Sequence, residues 1–172
     1  SWADGSAKFA IVSGGCAMTA DTSRTVGLAI GTAPTGTSIA TSALSAVSAS
    51  VGAGAFGSAS FGSTEWASPF QTVASGPLMS SWVYRKQIGS DAHLVAWLEV
   101  RAWTDGSVEV LPWVENGFLT VASPAAKSET YTFTLGGTSR FSAAIALLHH
   151  QRTPLVSGSA LTHWVGTDPV VV

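Results

Sequence analysis

Residues 93–116, HLVAWLEVRAWTDGSVEVLPWVEN, constrain the fold more than any other stretch. Leu94, Ala96, Leu98, Val100 and Ala102 form one apolar row, and His93, Trp97, Glu99, Arg101 and Trp103 form the alternate row. Successive side chains on a strand point to opposite faces, so the pattern predicts a sheet with one dry face and one decorated face. Past Thr104-Asp105-Gly106, Val108, Val110 and Val114 repeat the dry row, with Glu109 and Glu115 opposite. A three-residue loop puts Gly106 in the left-handed region, where a Cβ would clash. That loop pairs Trp103 with Ser107, Arg101 with Glu109 and Val100 with Val110. A two-residue Asp-Gly loop would instead set Ala102 against Glu109 and mix the faces, a costly slip when one face is buried. The expected Arg101/Glu109 cross-strand pair is worth about 0.2–1 kcal/mol.

The rest of the chain supports an all-β reading. Residues 78–88 (LMSSWVYRKQI) form a strand with Trp82 and Tyr84 on one face, and residues 129–135 (ETYTFTL) alternate Tyr131, Phe133 and Leu135. Gly136-Gly137 turns into a strand at 141–150, residues 118–121 extend the second arm of the hairpin, and 155–156 and 161–165 close the chain. A further strand is expected at 22–31, where Val26, Leu28 and Ile30 alternate. Residues 32–62 are rich in Ala, Ser, Gly and Thr. Their isolated Ile39, Leu44, Val47 and Val51 sit about four apart, which predicts a long low-complexity excursion with at most a short helix. Many short strands between Gly, Pro, Asp and Ser turns, without strand–helix alternation, predict a single antiparallel β-sandwich or barrel domain over residues 1–172. Trp2-Ala3-Asp4-Gly5-Ser6 repeats Trp103-Thr104-Asp105-Gly106-Ser107, and a strand at 7–12 follows it. A hairpin turn there would need a strand before Ser1, and the chain ends on the apolar run Pro169-Val170-Val171-Val172. Both ends are therefore expected to belong to a longer chain or to an edge that another chain completes.

Only 10% of the residues are charged and the net charge is -2, with no basic block. Phosphate binding rests on clustered Lys and Arg, so nucleic acid is not an expected partner. No apolar run of about 18 residues marks a membrane span. A neutral, hydroxyl-rich surface suits a part packed in an assembly or a secreted protein. Cys16 is the only cysteine, so the chain cannot form an internal disulfide.

Four groups of residues are candidates for chemistry. His149 and His150 would point to opposite faces of a strand, and no Cys or carboxylate lies at a ligand spacing from them or from His163, so no metal or other cofactor is expected. Asp91 and His93 share a face like half of a hydrolase relay, but no nucleophile elbow accompanies them. Glu99, Glu109 and Glu115 would serve glycosidic cleavage only as a positioned pair, and a charged strand face in solvent explains all three. The aromatic residues are the stronger hint. Trp82, Tyr84, Trp97, Glu99, Arg101 and Trp103 are the candidate glycan or partner face, because Trp and Arg are interface-rich and indoles stack on sugars.

The stretch Trp2-Ala3-Asp4-Gly5-Ser6-Ala7-Lys8-Phe9-Ala10 resembles a turn-strand of β-rich accessory domains in exo-rhamnogalacturonan-lyase-like proteins. Further short motifs are similar to a domain of tail or virion-associated proteins of tailed bacteriophages: Asp91-Ala92-His93-Leu94, Glu99-Val100-Arg101, Val114-Glu115-Asn116, Tyr131-Thr132-Phe133, Leu161-Thr162-His163-Trp164 and Gly166-Thr167-Asp168-Pro169. Nothing aligns over 32–62. The resemblance implies a non-catalytic structural module of a virion, with other virion subunits or neighbouring domains as partners and host-surface polysaccharide as a further contact. It carries over no catalytic residue, since catalysis in the lyase relatives is expected in a separate helical domain. The alternatives are an accessory domain of a secreted polysaccharide lyase and a carbohydrate-binding module.

Overall fold

The computed structural model describes residues 16, 18–29, 31–32, 35–118, 120–158 and 161–166. The expected hairpin turn at Trp2, the strand at 7–12 and the apolar run at 169–172 lie outside them. Ten strands form two antiparallel sheets packed face to face, an all-β sandwich. The strands are β1 (Ala49–Ala53), β2 (Ser58–Phe61), β3 (Gln71–Ala74), β4 (Met79–Gln87), β5 (Leu94–Trp103), β6 (Val108–Asn116), β7 (Lys127–Leu135), β8 (Thr138–Leu147), β9 (Gln151–Pro154) and β10 (His163–Val165). A single-turn helix, α1 (Ser63–Trp66), follows β2. The small sheet runs β2-β1-β7-β8. The large sheet runs β10-β6-β5-β4-β3, with β9 also pairing β6.

The β5–β6 hairpin has the register its turn chemistry requires. Ala102 faces Val108, Arg101 faces Glu109 and Val100 faces Val110. The Trp103 N–H donates to Ser107 O at 2.9 Å, the Gly106 N–H donates to Trp103 O at 3.0 Å, and Gly106 has φ +86°. The Asp105 carboxylate accepts from the Ser107 N–H at 2.8 Å and closes the turn.

The dry row of the hairpin forms the floor of the core. Leu94, Ala96, Leu98, Val100, Val110 and Val114 are wholly buried against Val51, Tyr131, Phe133 and Leu135 of the small sheet. Trp66 closes one end of the core. Its Nε1–H donates to Val47 O at 2.7 Å, and the Tyr84 hydroxyl donates to Trp66 O at 2.9 Å. Burial drives the Tyr84 phenol pKa up, and it pushes that of Tyr131 up to about 12, aided by Glu129 and Asp91. At the other end, Lys127 of the small sheet holds Asp91, in the β4–β5 turn of the large sheet, at 2.6 Å. Burial raises the Asp91 pKa, but Lys127 and the His93 N–H outweigh it and leave the carboxyl below its ordinary value.

Three expectations change. Residues 49–61 are not an excursion but supply β1 and β2, after a 3-10 turn at Thr41–Leu44. The true alternation is Ala49, Val51, Ala53 and then Ala59, Phe61, in which alanines face the core beneath large partners. Residues 22–29 form no strand, and Val26 and Leu28 stand 74% and 79% exposed, so their alternation packs on nothing. The hairpin's second arm stops at Asn116, and residues 118, 120 and 121 form no strand; the Asn116 side chain turns to bond Ala125 O and Leu147 O.

One irregularity positions the site. Pro112 O accepts from the Leu155 N–H at 2.9 Å, so the Pro112 nitrogen also faces that edge, where it has no hydrogen to donate. The partner chain leaves the edge there and returns at His163. Two short strands, β9 and β10, thereby cover one side of β6, and each contributes to the outer face.

Candidate functional site

The outer face of the large sheet is built as cross-strand rows. One row is Trp164, Glu109, Arg101, Ser81 and Ala74 across β10-β6-β5-β4-β3. The next is Leu111, Glu99, Val83 and Gln71, and the third is Pro154, Trp113, Trp97 and Arg85. A fourth brings Arg152 opposite Glu115. Trp97, Glu99, Arg101 and Trp103 of the expected face therefore stand together.

Trp82 and Tyr84 do not join them. They are 4% and 2% exposed and pair with Val100 and Leu98 of the dry row. Both rows of β4 mix polar and apolar residues, so parity alone did not choose a face; the partners on β5 do. The other members of the face come from elsewhere. Trp113 shares the parity of Glu109 and Glu115, a signal present in the sequence. Phe70, Ser81, Arg85, Arg152 and Trp164 are brought in by the fold and carry no local signal.

At one end of the face, Trp97 and Trp113 lie nearly parallel, 6° between planes and 6.3 Å between centroids, and Phe70 meets Trp97 edge-on at 5.5 Å. Guanidinium groups crowd these rings. Arg85 stands 4.2 Å from the Phe70 centroid, and Arg152 stands 5.2 and 5.6 Å from Trp97 and Trp113 while bonding Glu115 at 2.8 Å. The chain's own cations thus take up much of the stacking surface of these rings. At the other end, Trp103 lies 6.3 Å from Trp164. Between the ends, Arg101 bridges Glu99 at 2.6 Å and Glu109 at 3.1 Å. Partial burial pulls the Arg101 pKa down, but the two carboxylates overcome this and hold it above its ordinary value. Arg101 thus stands between Glu99 and Glu109 and bonds both carboxylates.

Four polar atoms on this face are shielded from solvent and have no hydrogen-bond partner among the described residues: Ser81 Oγ and the Nε1 atoms of Trp97, Trp103 and Trp113. A shielded donor without a partner costs about 1–3 kcal/mol, so such a cluster calls for an explanation. Two recesses of about 270 Å³ open beside Glu99, one bounded by Ser81, Arg101 and Trp103, the other by Trp113 and Arg152.

The histidines are arranged differently from expectation. His149 and His150 sit in the turn after β8 rather than on a strand, with their Nδ1 atoms 3.0 Å apart and the His149 ring against His93. Burial, then His150, His93 and Lys127, lower the His149 pKa. His163 lies apart, donating from Nε2 to Leu155 O at 2.7 Å. Among the described residues, no three His, Cys, Asp or Glu side chains are grouped to hold a metal ion. Asp91 caps the His93 backbone N–H at 2.9 Å, and the His93 ring bonds Ala122 O instead, so no relay forms.

Fold and site together define an antiparallel β-sandwich with an aromatic and charged outer face on one sheet. No family model, no curated protein and no solved structure matches the chain.

Proposed function

We propose that the chain is a non-catalytic module of a bacteriophage tail or virion protein, and that the outer face of its large sheet is the contact surface. The observation that carries the contact role is the gathering of Trp97, Trp103, Trp113 and Trp164 with Arg85, Arg101 and Arg152 on that face. Aromatic and arginine side chains are also the types that dominate interface energetics. The edge strand β8 supports an assembly role. It runs ten residues with one charge, Arg140, and no proline, and among the described residues no strand pairs with its outer side. Such an edge is a template for strand addition. The viral setting rests on the resemblance of the short motifs between Asp91 and Pro169.

The test is sedimentation of the native protein from its source, followed by incorporation of variants. Wild-type protein is expected in a particle fraction in fixed stoichiometry. The double variant Trp113→Ala/Arg152→Glu is expected to fold and to be largely excluded. Protein found only free in solution overturns the virion reading. A host-surface glycan is a second contact supported by the same face, because indoles and a charged row suit sugars as well as protein.

A further inference from the structure

We infer that the turn joining β8 to β9 is an acid-released latch: protonation of His149 frees β9 and uncovers the Trp97–Trp113 pair on the outer face of the large sheet. This rests on reading that face as the contact surface, and it gives the surface a regulation by pH.

Few bonds hold the turn. The His150 N–H donates to Asn116 O at 2.6 Å, the Leu148 N–H donates to Gln151 Oε1 at 2.8 Å, and His150 sits at φ +63°, in the left-handed region. Imidazole rings pack against one another here. The His149 ring meets His150 edge-on at 4.1 Å and His93, at the start of β5, edge-on at 5.2 Å between centroids. Lys127 of β7 and Asp91 of the β4–β5 turn also face this end, but they bond each other at 2.6 Å, so the carboxylate is already neutralised.

The geometry has no place for an added proton. The Nδ1 atoms of His149 and His150 lie 3.0 Å apart, so the gap holds one hydrogen. The His149 Nε2 is shielded and has no partner among the described residues. The neutral pair satisfies both facts when His149 donates from Nδ1 to His150 and keeps its Nε2 bare. A further proton on that Nε2 is a shielded donor without an acceptor. On the His150 Nδ1 it meets the hydrogen already in the gap. If the bridging hydrogen belongs instead to His150, the His149 hydrogen must sit on the same shielded Nε2. Every protonated form with the rings in place therefore carries a cost that opening removes. Burial, then the charges of His150, His93 and Lys127, act in the same direction and lower the His149 pKa. In the open turn His149 regains its ordinary value of 6.5 and binds the proton more tightly. The latch is thus complete above that pH and weakens as pH falls from there through the lowered value.

The latch restrains β9, which begins at the next residue. Among the described residues β9 pairs with β6 alone, over four residues, and short peripheral pairings open well before the whole fold does. β9 carries Arg152, whose guanidinium stands 5.2 and 5.6 Å from Trp97 and Trp113, so its departure bares both rings.

Amide hydrogen exchange of the full chain, read by NMR at pH 7.5 and pH 5 with a chelator present and corrected for the intrinsic pH dependence, tests this. The amides of His150, of β9 and of Leu155 should lose protection by about tenfold or more at pH 5, while Leu98 and Val100 of β5 keep theirs. His149→Phe leaves a ring against His93 and should hold the loss within about threefold; His149→Gln stands in if that variant fails to fold. Acrylamide quenching of tryptophan emission should rise at pH 5 in wild type, and less so in Trp113→Phe. No loss at β9 in wild type overturns the inference, as does an equal loss in the His149 variant that folds. Loss at Leu98 and Val100 in step with β9 overturns it too, because the acid effect is then global. Opening without a rise in quenching overturns the uncovering of the rings. Exchange is measured on the isolated protein, so a chain that opens as described yet never enters particles keeps the latch and loses the virion reading.

Discussion

The two outer faces of the sandwich differ sharply, although one core supports both. The large sheet presents Trp97, Trp103, Trp113 and Trp164 among three arginines and three glutamates. The outer face of the small sheet presents Ser50, Gly52, Ser58, Ser60, Ser128, Thr130, Thr132, Thr134, Ser142, Ala144 and Ala146, and the one exposed charge of its edge strand, Arg140, reaches across to Trp164 O. Short hydroxyl side chains reach water and lose little rotamer freedom, so the small sheet needs nothing beyond solvent. The large sheet carries rings and guanidinium groups of the types that dominate interfaces, so the contrast between the faces singles it out for contact.

The sharpest way to test this contrast compares inner and outer tryptophans. Trp82→Ala empties a core site between the sheets and should cost about 3–5 kcal/mol in chemical denaturation. If it costs no more than the outer-face substitutions, the division between core and contact surface is wrong. The second largest effect separates the ion pair that joins the sheets from those that decorate a face. Lys127 and Asp91 are 11% and 15% exposed, and losing one partner through Asp91→Asn should cost about 2–3 kcal/mol at neutral pH. The Asp91 pKa is depressed in the fold. Its contribution is therefore complete above the ordinary carboxyl pKa near 3.8 and is lost as pH falls from there through the folded value. Denaturation between pH 6 and pH 2 should show a smaller acid-dependent loss in Asp91→Asn than in wild type. By contrast, Arg101→Gln, on a side chain 37% exposed, should cost about 1 kcal/mol or less.

These contrasts also mark what the sequence made legible. The β5–β6 register was readable because turn chemistry and a two-row pattern agreed: a two-residue loop would have set Glu109 against the dry row. Trp97, Glu99, Arg101 and Trp103 were readable as one face for the same reason. Trp82 and Tyr84 were not, since Lys86 shares their row and Val83 and Met79 share the other, so neither row of β4 declares itself dry. Its side was set by pairing with Leu98 and Val100, a long-range fact. β1 and β2 escaped notice because Ala49, Ala53 and Ala59 fill core positions that a hydrophobicity pattern scores weakly. They suffice there only because Phe61 and Trp66 supply the missing volume. Arg152 and Trp164 reach the face through the break that Pro112 imposes on the edge, and nothing local announces it. The unpartnered state of Ser81 and the indoles is a property of surroundings, and composition has no access to it.

The smallest expected effect bears most directly on the contrast between faces. Thr132 lies mid-strand on the small sheet, between Gly52 and Ser142, and its Oγ1 fills the space that a Cβ at position 52 would occupy. Thr132→Val keeps that shape and replaces the hydroxyl with a methyl. At this half-buried position on the outer face of a central strand, where both β-branched side chains suit the pleat, stability should change by less than about 0.5 kcal/mol. Thr130→Lys goes further by placing a charge on the neutral face. If the small sheet faces only solvent, thermal melting, particle incorporation and glycan binding should all stay at wild-type levels. If Thr130→Lys instead excludes the protein from particles, the plain face is itself an interface. In that case its lack of charge reflects close packing against a neighbour, and the rings and guanidinium groups no longer single out the large sheet as the place of contact.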